Sequence, residues 1–225
     1  MPMFVPQHYR TDDRRWPVRI VQDNPLALLM STRDGRAPFA SHVPVIVLPR
    51  QREELERTGR WQGAVLHGHM NRANPHWKSL VDGQPAGLVF QGPAGYVSPA
   101  VYNTSPAVPT WNFTAVHVQG RLKLVADEEA TLGVVSATAR QLEERFGARW
   151  TVEPSVDHFR QILPGVGAFE LRVEECDSMF KLSQEKEHEV RHAVMDWCAR
   201  SPRGRSNDLA AVMRDYYPPT TTWPS

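Results

Sequence analysis

The chain has 225 residues, 41% apolar and 23% charged, an ordinary globular balance with enough length to bury a core without disulfides or structural metal. Its 26 basic and 25 acidic residues nearly cancel, which argues against the basic excess of a nucleic-acid-binding domain. Two cysteines with no CxxC pair, no signal-peptide pattern and no apolar run near the roughly 18 residues of a membrane span point to a reducing, cytoplasmic setting.

In chain order, the polar stretch Thr11–Arg15 leads into a helix ending at Asn24-Pro25, with Pro17 counting against it. Leu26–Thr32 and Val43–Leu48 are short apolar runs around Arg33-Asp34-Gly35-Arg36, the pattern of a β-hairpin with an Asp-Gly turn. Arg50–Arg60 reads as a charged connection, polar on all sides. Strands follow at Ala64–His69, Ala86–Gln91 and Ala115–Val125. In the last, Val116, Val118, Leu122 and Leu124 face one way, and His117, Gln119, Arg121 and Lys123 the other. Several short strands joined by loops suggest a barrel.

After residue 126 the pattern turns helical. Asp127 caps a run with Leu132, Val135, Ala139, Leu142 and Phe146 on one face, closed by Gly147. Gly167–Val173 returns as a final strand. Glu185–Ala199 and Asn207–Tyr216 are amphipathic helices, and Pro218–Ser225 reads as a loose tail.

The densest chemistry runs from His67 to Trp77. On a strand His67 and His69 point the same way, and Gly68 admits close approach of another group. Neutral imidazole ligates metals and haem iron, and the Arg72 fork suits a phosphate or carboxylate. A histidine pair at a strand end is more often a hydrogen-bonded structural feature. The Pro-rich stretch Gln91–Pro99 is expected to be a rigid loop. With Val108–Phe113 it offers Tyr96, Tyr102, Trp111 and Phe113 as flat faces for a planar ligand, or as ordinary aromatic packing. His188 and His192, four apart, lack a third metal ligand, and a solvated face is the simpler account. Arg200, Arg203 and Arg205 fit a solvated linker. No GxGxxG, P-loop or nucleophile elbow is present.

Several of these stretches coincide with motifs of one family. They are Met3-Phe4-Val5-Pro6, Ser41-His42-Val43-Pro44, Gly68-His69-Met70, Arg72-Ala73-Asn74-Pro75, Phe90-Gln91-Gly92-Pro93, Pro109-Thr110-Trp111-Asn112, Val116-His117 and Lys181-Leu182-Ser183-Gln184. On them the chain resembles the PaiB-like proteins of the FMN-binding split-barrel type. The resemblance implies a mainly β, α+β fold: a split β-barrel domain over 1–184, then a C-terminal helical extension and tail over 185–225. It also implies a homodimer with the cofactor near the subunit interface.

Piperazate synthases resemble the same family, use haem b in place of flavin, and cyclise N5-hydroxy-L-ornithine to L-piperazate by closing an N–N bond. Flavin-type members carry Trp-Tyr after the Ser-Pro turn, where this chain has Ala100-Val101-Tyr102. The expectation is therefore a haem b enzyme acting on a small amino-acid-like substrate, with FMN, in an oxidoreductase or a flavin-binding regulator, as the alternative. The resemblance implies His69 as the iron ligand, with His42 and His117 as rivals, and His117 as a pocket acid or base. It places Arg72, Asn74, Trp111, Lys181 and Gln184 around the cofactor. Neither a membrane nor nucleic acid is expected as a partner.

Overall fold

The computed structural model describes residues 3–32 and 37–218. Six strands close into a barrel in the order β1-β2-β3-β6-β5-β4. The hairpin is present: β1 (Leu26–Ser31) and β2 (Phe39–Val47) pair antiparallel, with Ala27 opposite Val43 and Leu29 opposite Ser41. The Arg33–Arg36 turn lies outside the described residues, as do the last seven residues of the tail. β3 (Val65–Asn71) lies between β2 and β6 (Val166–Lys181), and β4 (Pro85–Val97) returns to pair with β1. β5 (Thr110–Val125) alternates as expected, with Val116, Val118 and Leu122 inside and His117 and Lys123 outside. The interior is filled by Leu29, Leu66, Leu88, Phe90, Phe169 and Leu171, all fully buried.

Several expectations are corrected. Arg50–Arg60 is not a connection but the body of α2 (Pro49–Thr58). Its single apolar residue, Leu55, is fully buried, so the helix needs one anchor instead of a stripe. Pro49 starts it where no N–H is needed, and Gly59 ends it at φ 68°. Pro17 does not oppose α1 (Arg15–Asp23), because it stands in the first turn.

The stretch Gln91–Val97 is strand, not loop, and Pro93 lies inside β4. The pairing of β4 with β1 covers only Ala86–Val89. Beyond it that side of β4 has no β1 ladder for the missing proline N–H to break.

α4 (Glu128–Phe146) has the expected cap, with Asp127 Oδ1 accepting from the Ala130 N–H at 2.7 Å. Its buried face is Thr131, Leu132, Ser136 and Thr138, while Phe146 is exposed. The Thr131 and Thr138 hydroxyls donate to Asp127 O and Val134 O one turn back, which makes their burial affordable. β5 and β6 are each longer than their apolar cores suggested. Two short helices, α3 (Pro75–Ser79) and α5 (Val156–Ile162), are additional.

The chain divides into two compact units, each assembled from separated stretches. The first holds Met1–Met3, Asp12–Phe90 and Val116–Asp177. The second holds Phe4–Thr11, Gln91–Ala115 and Ser178–Ser225. In the second, α6 (His188–Arg200) packs on α7 (Ser206–Tyr216) through Val194, Met195, Cys198, Leu209 and Met213. No helix among the described residues is long and apolar enough to cross a membrane.

Candidate functional site

Strand alternation leaves an apolar row on the outside of the first unit. Leu26, Leu28 and Met30 point outward from β1, and Leu26 and Met30 are 63% and 36% exposed. Beside this row a groove of about 560 Å³ runs over β1, β4 and β5. That volume suits a small-molecule site. Met30, Gly87, Val89, His117 and Gln119 line it, with Met3 and Glu174.

His117 is the one imidazole among the groove's lining residues. Burial holds its pKa below the usual histidine value, against the opposing pull of Asp177. Asp177 Oδ2 in turn accepts the Met3 backbone N–H at 2.9 Å. A neutral imidazole in a groove can accept a proton or ligate a metal through its bare nitrogen.

His69 sits elsewhere on the same unit. The outward face of β3 carries both His67 and His69, opposite Glu170 and Ala168 of β6. Burial lowers both pKa values, with Glu170 opposing at His67. The Nδ1 atoms of both rings are buried without a hydrogen-bond partner. Between them Gly68 faces inward against Phe169: a Cβ there would lie 2.4 Å from the ring. His69 is not among the groove's lining residues, and His42 is exposed opposite Leu28.

Arg72 Nε donates to Val166 O at 2.7 Å, and its guanidinium lies 5.7 Å from the centre of the Trp77 ring. Asn74 caps α3, its Oδ1 accepting from the His76 N–H at 2.9 Å. That cap brings in a further histidine, His76, as the first residue after Pro75. His76 is fully buried, with Nε2 2.9 Å from Ser31 Oγ and Nδ1 2.9 Å from Ser41 Oγ.

Asn74 Nδ2 donates to Ser41 Oγ, and the hydroxyls of Ser41 and Ser31 hold the two ring nitrogens of His76, with the donor and acceptor roles set by the tautomer. Phe39 stacks on the ring at 5.3 Å. The signal for this arrangement was Asn74-Pro75 itself, an N-cap followed by proline at the first helical position.

Trp111, Lys181 and Gln184 belong to the second unit. Trp111 is 56% exposed and meets Tyr96 edge-on at 5.9 Å. Lys181 Nζ donates to Thr110 Oγ1 and lies 5.7 Å from the Tyr9 ring centre. Gln184 braces the turn after β6, its amide donating to Phe180 O and its Oε1 accepting from the Leu182 N–H. The structure thus gathers His69, Arg72, Asn74 and His117 in one unit and the other three in the second.

Thiol chemistry has little support, because burial pushes Cys176 up to about 12 and Cys198 up to about 11. Among the described residues no three His, Cys, Asp or Glu side chains group as a metal cage.

A family model described as "Putative FMN-binding domain" matches residues 3–175. The chain belongs to this family. Among PaiB-like FMN-binding split-barrel relatives, the Bacillus subtilis protease synthase and sporulation protein PAI 2 is 23% identical over 213 residues, spanning 95% of this chain and 97% of that one. An uncharacterized Saccharomyces cerevisiae protein is 27% identical over 179 residues, 70% of this chain and all of the other. The fold is shared with the FAD and haem binding protein of Mycobacterium smegmatis, at TM-score 0.55 and 16% identity over 81% of this chain and 78% of that one. A conserved hypothetical protein of Mycobacterium tuberculosis shares it at TM-score 0.53 and 10% identity, over 83% and 95%. The split-barrel expectation holds.

Proposed function

We propose that this protein is a homodimeric enzyme that binds haem b or FMN, and that its haem form cyclises N5-hydroxy-L-ornithine to L-piperazate. The observation that carries the cofactor proposal is the outer groove lined by His117, whose imidazole burial keeps neutral. His69 offers a second neutral imidazole, with a buried Nδ1 that has no partner. His117 fits as the ligand of an iron-bearing planar group in the groove; His69, on the outward face of β3 and outside the groove's lining, is the rival ligand, with Arg72 as the candidate cation for a propionate or substrate carboxylate. The apolar row Leu26, Leu28 and Met30 supports a second copy of the chain covering this face. Ala100-Val101 after the Ser98-Pro99 turn supports haem over flavin, since the flavin-type aromatic is missing.

When bound, haem would supply a Lewis-acidic iron and flavin a two-electron carrier. The residues do the rest. Both nitrogens sit on one substrate molecule, so a groove that holds it folded supplies geometry worth roughly 7–11 kcal/mol. The N–N bond forms as the N–O bond breaks, the α-amine gives up a proton, and water leaves, so no external reductant is needed. His117, neutral and in the groove, accepts that proton. A flavin-dependent oxidoreductase or regulator is the alternative, favoured by the description of the matched family.

The absorption spectrum of the purified protein separates the two. A haem Soret band, with conversion of N5-hydroxy-L-ornithine to a product lighter by one water, supports the enzyme. A flavin spectrum with no conversion sinks the piperazate assignment. Sedimentation of a fully cofactor-loaded protein as a monomer at low micromolar concentration removes the dimer. Tight, sequence-selective DNA binding at physiological salt would favour the regulator.

A further inference from the structure

A glycine inside a strand weakens it, because it packs nothing and loses more freedom on folding than any other residue. Where one stands, it marks a bulge, a bend, or a group that approaches the backbone closely. Packing accounts for most of the described strand glycines. A Cβ at Gly68 would lie 2.4 Å from the Phe169 ring, at Gly92 2.0 Å from Thr114 Oγ1, and at Gly95 3.0 Å from Leu209. At Gly120 it would lie 2.0 Å from Arg172 O, and at Gly167 2.3 Å from the Trp77 ring. Each of these places is already filled by a neighbour.

Gly87 of β4 is different. Beyond its chain neighbours, a Cβ there meets Val118 O at 3.7 Å, an ordinary contact, and nothing else within 4 Å. Nor does the backbone require glycine. Gly87 has no positive φ, and the β1 ladder runs through it unbroken: Leu28 opposite Val89, Leu29 opposite Leu88, Met30 opposite Gly87, Ser31 opposite Ala86. A bulge against β1 is thereby excluded. Burial alternates without a break as well, with Ala86 and Leu88 inside and Gly87 facing outward between Pro85 and Val89. All three outward residues line the groove, along with Met30 and His117. The remaining cause is an approach from the groove side. Without a side chain at 87 the β4 backbone is bare there, a flat surface beside the polarizable thioether of Met30, which favours aromatic rings.

We propose that Gly87 is the specificity-determining residue of the groove: its missing side chain admits a flat conjugated ring against the β4 backbone. This rests on the reading of the groove as the cofactor site. Haem and flavin share that flat shape, so the residue selects for planarity and not for one of the two.

The test compares the parent full chain with Gly87→Ala and Gly87→Leu, titrated with haemin in one arm and FMN in the other. Binding is read from the haemin absorption shift and from quenching of flavin fluorescence. Gly87→Ala keeps a urea midpoint at or above the parent's, since its Cβ has room and alanine restricts the unfolded chain. Gly87→Leu, folded by circular dichroism, weakens the cofactor that the parent binds by at least about tenfold, and Gly87→Ala by less. A lower midpoint for Gly87→Ala would give the glycine to the fold and overturn the proposal. His117→Ala, measured in parallel, separates it from the reading beneath it. If His117→Ala weakens binding and Gly87→Leu does not, the groove stands and the role of Gly87 falls. If the parent binds neither cofactor, or neither substitution changes its affinity, the groove reading fails and takes Gly87 with it. A Gly87→Leu protein that keeps its cofactor but sediments as a monomer, where the parent is a dimer, would assign the gap to a second copy of the chain and overturn the proposal.

Discussion

Gly68→Ala tests how β3 holds its two histidines. The new Cβ would lie 2.4 Å from Cζ of Phe169 and 2.9 and 3.0 Å from its Cε atoms, where ordinary contact begins at 3.4 Å. The ring is fully buried and directly opposite in register, so it has nowhere to swing. β3 or β6 must therefore yield by about 1 Å, a displacement of the kind that costs about 1–3 kcal/mol in a packed core. Gly68 is not in a left-handed conformation, so alanine recovers about 0.4–1 kcal/mol by restricting the unfolded chain. The net loss is about 1–2 kcal/mol. With a urea m-value of about 2 kcal/mol/M, the midpoint falls by roughly 0.5–1 M at unchanged slope. Phe169→Leu in the same chain, which shortens the opposing side chain, returns part of the loss. A Gly68→Ala protein as stable as the parent would refute the close-packing account of this glycine. So would a double variant that merely sums the two single losses.

Other consequences are open to direct measurement. His69→Ala and His117→Ala, compared by absorption spectroscopy, assign the iron ligand: the variant that loses or shifts the haem spectrum identifies it, and two unchanged spectra exclude both. Removing the His76 ring leaves the buried Ser31 hydroxyl without its ring partner and Ser41 with Asn74 alone, so His76→Ala lowers unfolding free energy by about 2–4 kcal/mol in denaturant melts; a loss below about 1 kcal/mol would show the network to be dispensable. Burial lowers the pKa of His67, His69, His76 and His117 below 6.5, so below that pH the unfolded chain binds more protons than the folded one. Stability is then full above about pH 6.5 and declines as pH falls through 6.5 toward the folded values. Melts at pH 7.5 and 5.5 check this, and equal midpoints would contradict it. Asp127→Ala removes the α4 cap and costs about 0.5–2 kcal/mol by thermal melt.

What the sequence disclosed was governed by period and by punctuation. The hairpin strands, the alternation around His117 and the two terminal helices were legible because an apolar pattern repeats in each. Gly68 was readable as a point of close approach, although only the structure names Phe169 as the group that approaches. α2 was hidden because one leucine anchors it. The β4 extension was hidden because Pro93 is a strand breaker only where a ladder needs its N–H. The face of α4 was legible only in part, because Thr131 and Thr138 bury beside the expected Leu132 by bonding to carbonyls one turn back, which no hydrophobic count detects. His76 was passed over since a five-residue helix leaves almost no periodicity, and its serine partners stand 45 and 35 residues away. The residues of the proposed groove come from four strands and the amino-terminal segment, a grouping that no local pattern displays.

The barrel order has a kinetic side. β1 and β2 are close along the chain and can meet early, but β4 pairs Val89 with Leu28, and β6 pairs Arg172 with Val65. Loop-closure entropy across about 60 and about 100 residues must be met before either ladder gives anything back. A barrel whose seams join such distant segments belongs with the slow folders, on the millisecond-to-second scale. Until β6 arrives, the edge of β3 is unpaired, and its run Val65-Leu66-His67 is open to strands of other chains. Production at low temperature or with a chaperone should therefore matter more for the yield of this protein than its equilibrium stability does.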